Sequence, residues 1–82
     1  MNQTERIKQG NLPIIGRNIR RLRKWNRMRS SDIVAKLQLE GISITTSTLS
    51  RIEQGSGNPT TAQLIALRKI FGCSYSDFFR PL

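Results

Sequence analysis

The chain of 82 residues contains no histidine and a single cysteine. Histidine is the commonest metal ligand and the usual acid–base group near neutral pH. Its absence argues against a metal site and excludes catalysis that depends on histidine. Cys73 cannot form an intrachain disulfide or a thiolate cluster, and a small core or helix-end position is its simplest role. We therefore expect no metal, no cofactor and no catalytic residues, and a reducing cytoplasm suits the composition.

Acidic residues and long apolar runs are also scarce. Five Asp and Glu against 14 Lys and Arg give a formal net charge of +9 at pH 7, and the acids are too scattered to form a catalytic pair. No apolar run approaches the roughly 18 residues that a membrane-spanning helix needs, and the polar start of the chain lacks the apolar stretch of a signal peptide. This positive charge suits a polyanionic partner such as DNA, RNA or an anionic membrane surface. Of these three interpretations, the membrane surface has the least support.

Helical periodicity organises the rest of the chain. Residues 1–11 are predicted to be a polar arm outside the core, and residues 12–82 to be one small domain. Apolar spacings of three and four, separated by cap and stop signals, predict five helices with short connections. The first three are predicted at about 13–27, 30–40 and 46–54, the fourth ends at Gly72, and a short fifth helix covers 75–79. The predicted fold class is therefore all-α, a compact five-helix bundle.

Several residues within these helices have predicted structural roles. A hydroxyl cap at Ser30 is expected to begin the second helix, and Gly41 is expected to end it. Thr45 should cap the third helix, and Thr60 or Thr61 the fourth. Two aromatic residues, Trp25 and Tyr75, could stack on bases, but their positions on apolar stripes favour packing in the core.

The third predicted helix has two unlike faces. Leu49 and Ile52 form an apolar back, whereas the front carries hydroxyls, an amide and a guanidinium, with no acid. These polar groups are the ones that hydrogen-bond base edges and phosphate oxygens. A solvated surface is the ordinary explanation for such a face, but the basic domain around it favours a helix that lies in a DNA groove.

With these features the chain resembles the Cro/C1-type (phage repressor-like, XRE family) helix-turn-helix DNA-binding domains. The resemblance covers about residues 14–79 and rests on residues 19–23, 33–37 and 47–55, followed by Asn58-Pro59. It implies a lambda repressor-like fold and a transcriptional regulator, a repressor by preference, with residues 46–54 in the major groove. It also implies double-stranded DNA as the partner and a homodimer on a palindromic operator. A protein partner of unknown identity is left open.

The resemblance assigns roles position by position. The base-reading positions are Thr46, Ser47, Ser50 and Arg51. The phosphate-binding positions are Ser30, Thr45, Ser56, Asn58 and Thr60. Arg23 and Glu53 match a pair that braces the first helix against the third. Within the basic cluster of residues 17–29, a solvated face is about as plausible as DNA contact, and Arg27 and Arg29 are the better phosphate candidates because they precede the second helix.

Two departures from the family pattern and the end of the chain leave questions open. Ser30 stands where relatives usually have glutamine, and residues 38–43 replace a single glycine, although a longer second helix would absorb the difference. An alternative function is therefore a protein- or RNA-interaction module, for example an antitoxin-type one, that keeps the fold without reading operators. Phe78, Phe79 and Leu82 are dimer candidates, with one phenylalanine expected to close the core and the other to be exposed.

Overall fold

The computed structural model describes residues 5–10 and 12–81. This part of the chain forms four α-helices and a final 3-10 helix: α1 (Ile14–Trp25), α2 (Ser30–Leu39), α3 (Thr46–Gln54), α4 (Thr61–Phe71) and the 3-10 helix Tyr75–Phe79. It contains no strand, although one isolated antiparallel bridge pairs Arg6 with Thr60. The prediction of an all-helical domain is confirmed, and the fifth predicted helix is a 3-10 helix.

The helix caps agree with the sequence at α3 and α4 but not at α2. The hydroxyls of Thr45 and Thr60 accept hydrogen bonds from the third backbone N–H that follows each. At α2 the extended residue is Arg29, and Ser30 is already helical, so the predicted Ser30 cap is wrong. The Asp32 carboxylate instead accepts from the Arg29 N–H at 2.8 Å. This hydrogen bond lowers the pKa of Asp32, so its stabilising effect is lost only as the pH falls through that lowered value.

The connection between α2 and α3 is shortened by the length of α2. The helix continues to Leu39, and Gly41 then adopts a left-handed φ of 80°. The N–H of Ile42 donates to the Leu37 carbonyl at 2.9 Å, which closes the end of the helix. Most of the six residues at 38–43 therefore belong to α2 or to its end, as the longer second helix required.

A single hydrophobic core joins all the helices. Its buried residues are Ile15, Ile19, Leu22, Ile33, Leu37, Ile44, Leu49, Ile52, Leu64, Ala66, Leu67, Phe71 and Phe78. Phe78 is completely buried. The side-chain amide of Asn18 in α1 donates to the Phe78 carbonyl at 2.9 Å and so links the 3-10 helix to α1. Cys73 packs partly buried against the core, and burial raises the pKa of its thiol, which therefore stays protonated.

The prediction that Trp25 and Tyr75 pack in the core is wrong. The Trp25 side chain is 82% exposed because α1 ends at this residue and the chain turns away, so no element covers it. Tyr75 is exposed at the start of the 3-10 helix. The Arg68 guanidinium lies over its ring, 5.1 Å from the ring centroid, in a cation–π contact. The apolar stripe of α1 therefore stops at Leu22, one turn earlier than its spacing suggested.

One side chain of the arm packs against the core from outside. Ile7 is partly buried against the core residues, and its N–H donates to the Pro59 carbonyl at 2.8 Å. The Glu5 carbonyl accepts from the N–H of Thr61 at 3.1 Å. Residues 5–10 therefore lie along the loop between α3 and α4 and the start of α4.

The turn between α1 and α2 holds a non-glycine residue in the left-handed region, Arg27, with a φ of 55°. The N–H of Arg27 donates to the Lys24 carbonyl, and that of Met28 to the Arg23 carbonyl, each at 3.0 Å. This pair of hydrogen bonds is a common way to end a helix, with glycine usually at the left-handed position. A residue with a Cβ pays about 1–2 kcal/mol in that conformation.

Candidate nucleic-acid interface

The polar front of α3 is at the surface and its apolar back is buried. Thr46, Ser47 and Arg51 are exposed, and Ser50 is half-buried. Leu49 and Ile52 are almost completely buried and anchor the helix. The front of α3 is therefore available to a ligand without loss of core contacts.

The polar groups of this front differ in how far the fold already uses them. Thr45 Oγ1 caps the helix by accepting from the Thr48 N–H at 3.1 Å. The Gln54 amide donates to Ser50 Oγ at 3.1 Å, and this hydrogen bond restrains both side chains on the helix surface. The Arg51 guanidinium makes no hydrogen bond or ion pair with the described residues. Arg51 is therefore the side chain of α3 with the most unused hydrogen-bonding capacity.

The backbones of α1 and α3 touch at a glycine. A Cβ placed on Gly16 would overlap the carbonyl oxygen of Ile52. Side chains cannot separate the helices at this crossing, so the position of α3 relative to α1 is set by direct backbone contact. Gly55, which ends α3 with a φ of 91°, lies against Pro13 at the start of α1 and adds a second close contact.

Gln9 bridges this crossing from the arm. Its Nε2 donates to the carbonyls of Ile52 at 3.0 Å and Gly57 at 2.8 Å, and its Oε1 accepts from the Gly16 N–H at 2.8 Å. All three hydrogen-bonding groups of the amide are therefore used to join α1, α3 and the following loop. Sequence reasoning missed this residue; the only signal was its place two residues after Ile7, on the same side of an extended segment.

Arg23 and Glu53 form a second tie between α1 and α3. Two N–H groups of Arg23 donate to the two Glu53 oxygens at 2.9 and 3.0 Å, and a third donates to the Met28 carbonyl at 3.1 Å. The side chains are only 14% and 7% exposed, and the hydrogen bonds to Glu53 raise the pKa of Arg23. One guanidinium thus links α1, α3 and the turn before α2.

Replacing Glu53 with glutamine should lower the free energy of unfolding by about 2 kcal/mol, because the change leaves buried guanidinium N–H groups facing an amide. The measurement is urea unfolding followed by circular dichroism. The matched control is Glu40→Gln, which removes an exposed carboxylate 3.9 Å from Lys69 and should change stability by less than about 1 kcal/mol. Equal losses for the two variants would show that the Arg23–Glu53 pair is no brace.

The predicted phosphate-binding residues that precede α2 and follow α3 are not equally accessible. Arg27 and Arg29 are exposed before α2, while Ser30 is half-buried. After α3, Ser56 is exposed and Asn58 is half-buried. The side-chain oxygen of Asn58 already accepts from the Gln9 N–H at 3.0 Å.

Thr60 is not presented at the surface. It is 6% exposed under the arm, and its Oγ1 is used by the Gln63 N–H at 3.0 Å. The role predicted for Thr60 in phosphate binding is therefore not available to it in this conformation.

A row of cations on α1 borders the end of α3. Arg17, Arg20, Arg21 and Lys24 line an open groove of about 490 Å³ together with Glu53 and Gln54. The side chains of this row, which we call the α1 ridge, recur at helical spacing on the exposed side of α1. Because Gln54 belongs to the polar front of α3, the α1 ridge and that front form one continuous surface.

The dimer candidates occupy different environments. Phe78 is completely buried in the core, so it offers no surface to a partner. Phe79 is 54% exposed on the 3-10 helix. Leu82 lies outside the described residues.

Residues 5–10 and 12–81 present neither a cluster of metal ligands nor a membrane-spanning helix. Three or more His, Cys, Asp or Glu side chains do not gather there as a metal site would require. The helices in the same ranges are too short or too polar to cross a bilayer.

A family model described as helix-turn-helix matches residues 19–78, which include all of α2, α3 and α4. No curated protein and no solved structure was found to match the chain significantly.

Proposed function

Because the chain belongs to the Cro/C1-type helix-turn-helix family of DNA-binding domains, we propose that it is a sequence-specific transcriptional repressor that inserts α3 into the major groove. The observation that carries the proposal is the front of α3, which is polar, free of acids and exposed on a helix held by a buried apolar back. A helix that reads a DNA groove needs this combination, because the side chains that contact bases must not be used in contacts within the protein.

In this proposal Arg51 is the main base-reading residue. Its planar guanidinium can donate two parallel hydrogen bonds to O6 and N7 of a guanine, the commonest specific contact in the major groove. The methyl group of Thr46 can contact a thymine methyl, and the Ser47 hydroxyl can donate to or accept from a base edge. Ser50 and Gln54, which hold each other, would then lie along the wall of the groove.

Phosphate contacts from residues that flank α2 and α3 in the chain would set the depth and register of α3. Arg27, Arg29 and Ser30 supply them on the α2 side, and Ser56 and Asn58 on the α4 side. The α1 ridge adds further cations beside Gln54. Each phosphate neutralised by these side chains should make log K fall by about 0.9 per unit of log salt concentration.

We further propose that the protein acts as a homodimer on a palindromic operator, with half-sites about one helical turn, roughly 34 Å, apart. Phe79, exposed on the 3-10 helix, is the candidate for the two-fold contact. An alternative is a protein- or RNA-interaction module, and the exposed Trp25 is the observation that favours it because a bare indole suits a partner surface or an unpaired base.

The test is selection of bound sequences from random duplex DNA, followed by titration against the selected duplex, its single strands and RNA at matched salt. The proposal expects a two-fold symmetric motif, a strong preference for the duplex and an affinity that falls steeply with salt. Equal binding to RNA, or no motif at all, would favour the alternative.

A further inference from the structure

Residues 5–10 lie outside the range that the family model matches, yet they are fastened to the loop that follows α3. The N–H of Ile7 donates to the Pro59 carbonyl at 2.8 Å, and the N–H of Gln9 donates to the side-chain oxygen of Asn58 at 3.0 Å. The Glu5 carbonyl accepts from the first helical N–H of α4, at Thr61. The arm therefore holds a definite position on this side of the domain.

In that position the arm covers the start of α4. The Thr60 hydroxyl is buried and caps α4 by accepting from the Gln63 N–H, and the Thr61 N–H, a donor that could serve a phosphate, is bonded to the Glu5 carbonyl. The start of α4 thus has few polar groups left for DNA, and an approaching strand would meet the arm first.

Arg6 is the side chain that the arm exposes there. Its Nη1 donates to the Asn58 backbone carbonyl at 2.8 Å, and among the described carboxylates none forms a salt bridge with it. Arg6 also lines a cavity of about 280 Å³ with Thr60 and with Ser43 of the α2–α3 connection. It therefore lies between the segment that leads into α3 and the loop that leaves it.

We propose that Arg6 binds a phosphate of the DNA backbone and that the arm thereby supplies a contact which the start of α4 no longer makes; this rests on the proposed function. A guanidinium has five donors in a planar fork, and the bond to Asn58 uses one of them. That bond also restrains the side chain before DNA arrives, so less rotational freedom is lost on binding. Phosphate is the ligand that fits, because a bidentate pair with Arg needs two adjacent anionic oxygens.

The experiment measures affinity for the selected duplex as a function of salt for the wild-type chain, Arg6→Gln and Arg6→Lys. Glutamine keeps a donor for the Asn58 carbonyl and loses the charge, whereas lysine keeps the charge. Arg6→Gln should reduce the slope of log K against log salt by about 0.9 and weaken matched and mismatched duplexes by the same factor. Arg6→Lys should retain the wild-type slope.

Lys69→Gln is the matched control, because it removes the same charge from an exposed residue in the last turn of α4, the end opposite to Arg6. Its slope should equal that of the wild type. A wild-type slope for Arg6→Gln, or equal losses for Arg6→Gln and Lys69→Gln, would overturn the Arg6 proposal while leaving the regulator intact. A wild-type chain that prefers no duplex would instead overturn the proposed function, and the Arg6 contact with it.

Discussion

Replacing Gly16 with alanine should lower the free energy of unfolding by about 3 kcal/mol, the upper end of the usual cost of overpacking. The added Cβ would overlap the Ile52 carbonyl oxygen, which is backbone and cannot rotate away, so α1 and α3 must separate. Alanine in a helix normally stabilises by roughly 1 kcal/mol relative to glycine, so the expected effect has the opposite sign to helix propensity. Thermal and urea unfolding followed by circular dichroism would measure it.

Arg17→Ala is the matched control for this substitution, because Arg17 is exposed at the next position of the same helix. It should change the free energy of unfolding by less than about 0.5 kcal/mol. If Gly16→Ala were as stable as this control, the two helices would have to cross differently from the arrangement described. Separation of the helices would also break the hydrogen bonds of Gln9, which spans the same crossing.

Replacing Arg51 with alanine should abolish most of the sequence preference and leave the fold unchanged. The side chain is exposed and makes no contact with the described residues that folding would miss. Loss of a bidentate contact to guanine removes about 1–3 kcal/mol of discrimination, roughly fivefold to 150-fold in the ratio of affinities. The measurement is binding to the selected duplex and to duplexes with single base changes, with melting recorded in parallel.

Arg20→Ala provides the comparison for Arg51→Ala, since it removes an exposed cation from the α1 ridge instead of from α3. It should weaken all duplexes alike and lower the salt slope without altering the preferred sequence. An Arg51→Ala variant that kept the wild-type preference would show that another residue reads the bases.

The sequence predicts best those elements whose signals are local. The bounds of α3 follow from a threonine cap at its start and a glycine at its end, both within one turn of the helix, and the structure gives the same bounds. The end of α1 was predicted less well. Spacing alone suggested that Trp25 continues the apolar stripe, but whether an element covers that position depends on the direction of the following turn.

The contacts of the arm could not be predicted from local pattern. Three hydrogen bonds of Gln9 reach partners that are 43, 48 and 49 positions further along the chain. The bond from Arg6 to Asn58 spans 52 positions. A polar segment that docks on a distant loop has the same composition as one that stays in solvent. Periodicity and resemblance name the base-reading residues, whereas the support of their helix, by the Thr45 cap, the buried Leu49 and Ile52 and the backbone contact at Gly16, comes from the structure.

The left-handed conformation of Arg27 sets two selective pressures against each other at a single position. Glycine there would relieve about 1–2 kcal/mol of backbone strain, which raises the melting temperature of a domain this size by several degrees. The same change would remove a cation from in front of α2, where the proposed interface meets the DNA backbone. Because each phosphate contact contributes less to affinity as salt rises, a lineage adapting to heat or to high salt would gain from glycine at this turn, and a lineage at low salt would gain from keeping arginine.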